Sequence, residues 1–286
     1  MKIRYIIVLF VFLTNGIFAF SNVKHDRDIS YSGSSKERRN LLDIFYPVNT
    51  VTPKDVIVFI HGGSWNSGKK DIYWWLGKNF AKKNLVAVTI NYSLSPGYKY
   101  EQMATDCASA LKWVKNNISK YGGNGARIFV MGHSAGGHLA TLIDSDPRFF
   151  SELGIENPIK GVILNDGFGL DMNEYLLQAE KNNQTKSFLY TFSNLPDNWI
   201  KASPITYFDN IKNPYLIFVG EKTYPSIKLQ SKRFSDMLIN AKKPVEYQVI
   251  RKKKHIGMII QMISKGNSLY DTILNFMQSN AFDEKA

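Results

Sequence analysis

Cysteine is almost absent from this chain of 286 residues, with Cys107 as the single example. One cysteine excludes a disulfide within the chain and any zinc cluster built on cysteine ligands. The sequence also lacks the H-E-x-x-H spacing of a zinc hydrolase and the G-x-x-x-x-G-K-S/T loop that cradles nucleotide phosphates. We therefore expect a protein that needs neither a metal ion nor another cofactor.

The composition is that of a globular protein. Hydrophobic residues make up 44% of the chain and charged residues 21%, which excludes a disordered or fibrous protein. The length fits one large domain, and the formal charge of +12 favours loose attraction to anionic surfaces. The basic run at 251–254 is not interleaved with aromatic residues, so we predict no nucleic-acid partner.

The N-terminus has the organisation of a secretory signal peptide. Lys2 and Arg4 precede an apolar run over 5–13, and Ala19 and Ser21 supply the small residues expected before a cleavage site. We predict a signal over 1–21 and a mature domain over 22–286, in a secreted or periplasmic protein. The alternative is an uncleaved membrane anchor, although the apolar run is shorter than the roughly 20 residues needed to span a bilayer. No other stretch predicts a membrane span.

Apolar runs of strand length alternate with segments of helical periodicity through the mature chain. The predicted strands cover 40–46, as an edge strand, and 56–60, 85–90, 127–131, 161–164, 215–219 and 245–250. The predicted helices cover 71–83, 101–120, 135–142, 226–241 and 267–279. This alternation predicts an α/β fold with a mostly parallel central sheet and helices on both faces. Residues 171–201 contain no clear strand and are expected to form a small lid-like insertion or pocket wall.

A G-x-S-x-G motif follows the strand at 127–131 and precedes the helix at 135–142. Its residues are Gly132, His133, Ser134, Ala135 and Gly136. Between a strand and a helix, these glycines permit a sharp turn that exposes a serine hydroxyl at a helix N-terminus. Ser134 is therefore the candidate nucleophile.

A second glycine motif, His61-Gly62-Gly63, follows the strand at 56–60. Glycines let the backbone approach a substrate carbonyl closely. We expect the N–H groups of Gly62 and Gly63 to form an oxyanion hole together with that of Ala135. His61 itself is interpreted as a structural histidine.

These motifs resemble those of α/β-hydrolases, specifically serine esterases with HGG and GxSxG motifs. The similar branch contains kynurenine formamidases, feruloyl-type esterases and small carboxylesterases. The resemblance runs from about Leu42 to Phe276 and includes Asn91-Tyr92-Ser93-Leu94 and Ala202-Ser203-Pro204. It implies the chain order nucleophile, acid, histidine. His255, between the strand at 245–250 and the last helix, is accordingly the expected base.

The acid departs from the pattern of this family. There the acid usually stands three residues after the glycine that ends the strand equivalent to 215–219, and here Thr223 occupies that position after Gly220. Glu221 is the preferred candidate because its longer side chain can extend towards His255. Asp171 and Asp166 remain alternatives, as does a site without an acid.

The resemblance implies a secreted serine hydrolase that cleaves carboxylic esters through an acyl-enzyme. The substrate is expected to be a small-molecule or glycan-linked ester. One alternative is an amide hydrolase of the formamidase type. Another is a catalytically weak ligand-binding protein on the same scaffold, which the displaced acid suggests. The sequence leaves the acyl group, the alcohol and the oligomeric state open.

Overall fold

The computed structural model describes residues 23–32, 39–48 and 51–280. The predicted signal peptide over 1–21 lies outside these residues. Within the described part of the chain, no helix combines the length and the apolar character needed to cross a bilayer.

The described residues form one sheet of eight strands. The strands are β1 (Val23–Ser30), β2 (Leu41–Pro47), β3 (Lys54–Ile60), β4 (Val86–Ile90), β5 (Gly123–His133), β6 (Ile159–Asn165), β7 (Tyr215–Gly220) and β8 (Val245–Ile250). Their order across the sheet is β1-β2-β4-β3-β5-β6-β7-β8. The first two pairings are antiparallel and the remaining five are parallel. The predicted α/β fold with a mostly parallel sheet is confirmed.

The prediction of an edge strand at 40–46 is wrong, because β1 pairs with β2 and covers its outer side. A buried ion cluster joins the two strands. Lys70 Nζ lies 2.6 Å from Asp28 Oδ1 of β1 and 2.6 Å from Asp43 Oδ1 of β2. No apolar pattern predicts β1, because charged side chains, typical of an edge strand, occupy much of it.

Helices pack on both faces of the sheet. They are α1 (Trp74–Lys82), α2 (Tyr100–Asn117), α3 (Ala135–Ser145), α4 (Arg148–Ser151), α5 (Met172–Gln178), α6 (Asn183–Phe192), α7 (Pro196–Lys201), α8 (Pro225–Asn240), α9 (His255–Ile260) and α10 (Leu269–Ser279). One face of the sheet packs against α2, α3 and α8, and the other packs against α1, α9 and α10. Because both faces are covered, every residue of β4 and β7 is buried.

The segment 171–201 folds into the three short helices α5, α6 and α7. Tyr175 of α5 and Gln184 and Phe188 of α6 line the cavity that also contains Ser134. The segment therefore contributes one wall of the space above the sheet.

Candidate active site

Ser134 lies on a strained turn between β5 and α3, with φ 55° and ψ −123°. Two neighbouring glycines make this turn possible. A Cβ atom on Gly136 would stand 2.1 Å from the carbonyl oxygen of Ile60, and one on Gly132 would stand 2.3 Å from that of Gly136. Larger residues cannot be accommodated at such distances, so the sequence around the turn fixes where the hydroxyl emerges.

The hydroxyl of Ser134 meets the imidazole of His255, the first residue of α9. Ser134 Oγ lies 2.8 Å from His255 Nε2, and His255 Nδ1 lies 2.6 Å from Asp166 Oδ2. An ionised carboxylate only accepts hydrogen bonds, so Nδ1 carries the imidazole proton and Nε2 accepts from the serine hydroxyl. The three side chains thus form a continuous hydrogen-bonded relay.

Asp166 is fully buried and follows β6 directly. Its Oδ1 accepts a hydrogen bond from the Gly220 N–H at 2.8 Å, and its Oδ2 accepts one from the Thr223 hydroxyl. The carboxylate is therefore held by the end of β7 as well as by His255. Each of these contacts compensates part of the cost of burying the charge.

The placement of Glu221 next to His255 is wrong. The exposed Glu221 side chain accepts a hydrogen bond from the Lys252 N–H at 2.6 Å instead. Asp171 caps α5 through the Glu174 N–H at 2.9 Å and pairs with Arg233 at 2.9 Å. Asp166, the least favoured of the three candidate carboxylates, contacts the histidine.

Thr223 explains why the expected position carries no charge. It reaches the same carboxylate from the end of β7, so a hydroxyl stands where the family pattern places the acid, and the acid comes from the neighbouring strand β6. A sequence signal existed, because Asp166 directly follows a buried parallel strand, where polar side chains gather at the carboxyl edge of the sheet.

The loop after β3 runs directly alongside the serine turn. A Cβ on Gly62 would lie 2.9 Å from the carbonyl oxygen of His133 and 3.0 Å from Ser134 Cβ. Gly63 has φ +122°, and its carbonyl accepts hydrogen bonds from Asn66 and Ser67. The structure thus brings Gly62, Gly63 and Ala135 around Ser134, and all of them line one cavity.

Two buried histidines hold this part of the site. His61 Nδ1 lies 2.7 Å from the Gly62 carbonyl oxygen, and His138 accepts from Trp65 Nε1 at 3.2 Å and donates through Nε2 to the Ala202 carbonyl at 2.7 Å. Burial lowers the pKa of His61 and that of His138 to about 4. Both rings are therefore neutral at neutral pH and serve as structural hydrogen-bonding groups.

His133 stacks on the candidate base. Its ring centroid lies 4.9 Å from that of His255, and its Nε2 donates to the His255 carbonyl oxygen at 3.4 Å. Burial, and then the neighbouring His255, lower the pKa of His133 to about 4. A neutral ring here supports the imidazole of His255 without placing a second positive charge beside it. The sequence motif gave no indication of this contact.

The relay opens into a cavity of about 880 Å³. Aromatic and aliphatic side chains form most of its lining, which includes two histidines and no Asp, Glu, Lys or Arg. Within the described residues, no three His, Cys, Asp or Glu side chains are grouped as metal ligands. The arrangement offers an activated hydroxyl, nearby backbone N–H groups and an apolar space for a neutral ligand.

Comparison with known proteins identifies the family. The BD-FAE family model matches residues 42–238, which is more than half of the chain. The chain belongs to the BD-FAE family. The match includes both glycine motifs, Ser134 and Asp166, and ends before His255.

The BD-FAE chain also resembles longer curated proteins. The isoprenylcysteine alpha-carbonyl methylesterase ICME of Arabidopsis thaliana is 26% identical over 259 residues, covering 86% of this chain and 61% of that protein. The probable carboxylic ester hydrolase LipM of Mycobacterium tuberculosis is 31% identical over 256 residues, covering 82% of this chain and 57% of that protein. The chain therefore spans less than two thirds of either relative.

Solved structures agree on the α/β-hydrolase fold of this BD-FAE member. Esterase B from Lactobacillus rhamnosis superposes with a TM-score of 0.75 at 17% identity, over 90% of this chain and 85% of that one. The Pyrobaculum calidifontis esterase superposes with a TM-score of 0.70 at 19% identity, over 91% of this chain and 85% of that one.

Proposed function

We propose that this protein is a serine hydrolase that cleaves carboxylic esters through an acyl-enzyme. The observation that carries the proposal is the relay from Ser134 through His255 to Asp166 at an apolar cavity. The ester-hydrolase names of the curated relatives support the same reaction class.

Acylation begins with the hydroxyl of Ser134. His255 Nε2 accepts the hydroxyl proton as Oγ attacks the carbonyl carbon of the ester, and a tetrahedral oxyanion forms. The N–H groups of Gly62, Gly63 and Ala135 are proposed to donate to this oxyanion. His255 then donates the proton to the departing alcohol oxygen, the bond from carbon to that oxygen breaks, and the acyl group remains on Ser134.

Deacylation repeats these steps with water. His255 removes a proton from a water molecule, whose oxygen attacks the acyl carbon, and the second oxyanion is stabilised by the same N–H groups. Collapse of this intermediate breaks the bond to Oγ and returns the proton to Ser134. The products are a carboxylic acid and the regenerated serine.

Asp166 keeps the imidazole in the productive tautomer. Its contact with Nδ1–H leaves Nε2 free to accept from the serine, and its negative charge stabilises the imidazolium formed during attack. Gly220 and Thr223 orient the carboxylate. The alternative of a catalytically weak ligand-binding protein rested on the displaced acid. The contact between Asp166 and His255 removes the reason for preferring it.

We further propose that the protein is exported and acts on small-molecule or glycan-linked esters outside the cytoplasm. This proposal rests on the N-terminal pattern over 1–21. Mass spectrometry of the purified, exported protein tests it, with a mature N-terminus near Asn22 as the expected result. An intact N-terminus would favour a membrane-anchored form.

A fluorophosphonate probe tests the nucleophile, because such probes react with activated serines. We expect the wild type to be labelled and Ser134→Ala to remain unlabelled. Ser226→Ala is the matched control: this serine also lines the cavity, but it lies outside the relay, so labelling should persist. Equal labelling of the wild type and Ser134→Ala would refute the assignment of Ser134.

A substrate panel separates the ester and amide alternatives. It compares p-nitrophenyl acetate, methyl ferulate, acetylated xylan and N-formylkynurenine. We expect hydrolysis of at least one of the esters. Activity confined to the formamide would overturn the ester assignment in favour of a formamidase-type reaction.

A further inference from the structure

The mouth of the cavity carries an exposed aliphatic rim. Ile256, Ile260 and Ile263 line the cavity, yet their exposed fractions are 56%, 52% and 54%. Ile72, which also lines the cavity, is 51% exposed. A group of half-exposed aliphatic side chains at one opening is costly in water and is typical of a surface that meets an apolar partner.

The rim is a regular feature of a well-packed segment. Ile256, Ile260 and Ile263 are spaced by four and three residues across α9 and the following turn, so they share one side of the segment. The other side is buried through Met258 and Met262. The segment is therefore anchored in the core and presents its second apolar side outward.

Basic side chains flank the rim in sequence on both sides. Arg251, Lys252 and Lys254 precede it and Lys265 follows it, and all four are exposed. Among the described residues, none of these four side chains forms an ion pair. The carboxylate hydrogen-bonded to this segment is that of Glu221, at the Lys252 N–H. The face thus combines aliphatic groups with an excess of positive charge.

We propose that this basic and aliphatic rim docks on an anionic lipid surface, from which the cavity takes neutral, apolar esters. The substrate part rests on the proposed hydrolase function, whereas the docking part does not. Aliphatic side chains enter the boundary between head groups and acyl chains, while lysine and arginine attract the anionic head groups. An acidic polysaccharide would engage the basic residues but leave the isoleucines in water, so a lipid surface fits both features.

The cavity agrees with such a source of substrate. Its lining includes both the rim isoleucines and Ser134, and it contains no Asp, Glu, Lys or Arg. A carboxylate or ammonium on the acyl group would lose its hydration there without an ion partner. Neutral acyl groups should therefore be preferred.

Sedimentation with vesicles tests the docking. We expect the full-length protein to bind vesicles of phosphatidylcholine and phosphatidylserine more tightly than vesicles of phosphatidylcholine alone. The triple variant Ile256→Ser, Ile260→Ser, Ile263→Ser should bind at least about tenfold more weakly, because three aliphatic side chains no longer enter the lipid. Replacing the four basic residues with Gln should remove the preference for anionic vesicles, by about fivefold for each residue that contacts the surface.

The matched control substitutes three other exposed aliphatic residues, Leu177→Ser, Leu195→Ser and Ile239→Ser, which lie outside the cavity lining. This variant should bind vesicles like the wild type. Ser134→Ala should do so too, which separates docking from catalysis. All variants share one N-terminus, so differences between them report on the substituted residues.

Three results would overturn the docking proposal. The first is equal vesicle binding by the rim variant and the wild type, and the second is an equal loss of vesicle binding in the control variant. The third is that the basic residues contribute to binding of a soluble acidic polysaccharide but not to binding of vesicles. The substrate part is tested by kcat/KM for p-nitrophenyl butyrate against the p-nitrophenyl hemiester of succinate. We expect at least about tenfold preference for the neutral ester, and equal values would overturn it even if the fluorophosphonate probe labels Ser134.

Discussion

The half of the site built on β3 and β5 differs from the half built on β6, β7 and α9 in what holds its groups. In the first half, the backbone itself fixes the positions of Ser134 and the glycine loop, through contacts too close for any Cβ. Neutral buried histidines complete this half. In the second half, a hydrogen-bonded carboxylate joins elements that are distant in sequence.

This difference indicates where each half is vulnerable. The half built on β3 and β5 depends on steric fit and on imidazole rings that must stay uncharged, so acid or added side-chain volume should destabilise it. The half that contains Asp166 depends on one buried charge and its donors, so single polar substitutions should reduce activity while the fold persists. The following predictions test this contrast, beginning with the largest effect.

Asp166→Asn should give the largest loss. The amide can donate to His255 Nδ1 and so favour the wrong imidazole tautomer, and we expect kcat to fall by about 10⁴-fold on a short p-nitrophenyl ester. Circular dichroism should show a folded protein. A loss below about tenfold would mean that the carboxylate is dispensable, and the contrast between the two halves would fail.

Acid should destabilise the half built on β3 and β5 through His138. Its pKa is about 4 in the folded protein against 6.5 for an unperturbed histidine, so between these values the unfolded chain binds a proton that the folded one excludes. Stability is therefore lost as the pH falls from 6.5 towards 4. The free energy of unfolding, measured with urea at each pH, should depend less steeply on pH in His138→Gln than in the wild type. We expect a difference of about 1.4 kcal/mol per pH unit across this range. Identical slopes would contradict a buried neutral imidazole at this position.

Thr223→Val should have a smaller effect on activity. The substitution keeps the side-chain volume but removes the hydroxyl that donates to Asp166. Losing a hydrogen bond to a charged group costs about 1.5–3 kcal/mol, so we expect kcat/KM to fall by about 10- to 150-fold.

Glu221→Gln is the matched control for this measurement. Its carboxylate contacts the Lys252 backbone and not His255, so kcat/KM should stay within about twofold of the wild type, as is usual for an exposed position. A larger loss in Glu221→Gln than in Thr223→Val would restore the original assignment of the acid.

The parallel core of the fold follows from local patterns. The buried runs in β3 and β7 are continuous apolar segments of strand length, next to segments with helical periodicity. Such strands can be predicted from the sequence alone. The edge strand β1 cannot be predicted in this way, because its stability comes from pairing with β2 and from the charges around Lys70, which lies far away in sequence. A local pattern cannot show that kind of support.

The site divides in the same way. Ser134 and the glycine loop at 61–63 lie in short contiguous motifs, and His255 follows from the order of the chain. Predicting Asp166 would have required knowing that the Thr223 hydroxyl, after one strand, donates to a carboxylate that follows the neighbouring strand. A spacing rule counts residues along the chain, whereas the contact with the histidine depends on distance in space. The rule therefore cannot locate an acid that comes from a different strand.

The hydrogen bonds of His138 have a mechanical consequence. Through this one imidazole, Trp65 of the loop after β3 is hydrogen-bonded to the helix that begins after Ser134. The same ring contacts Ala202, just beyond the three short helices of the cavity wall. Displacing the loop, the helix or the wall alone would therefore strain at least one of these two hydrogen bonds.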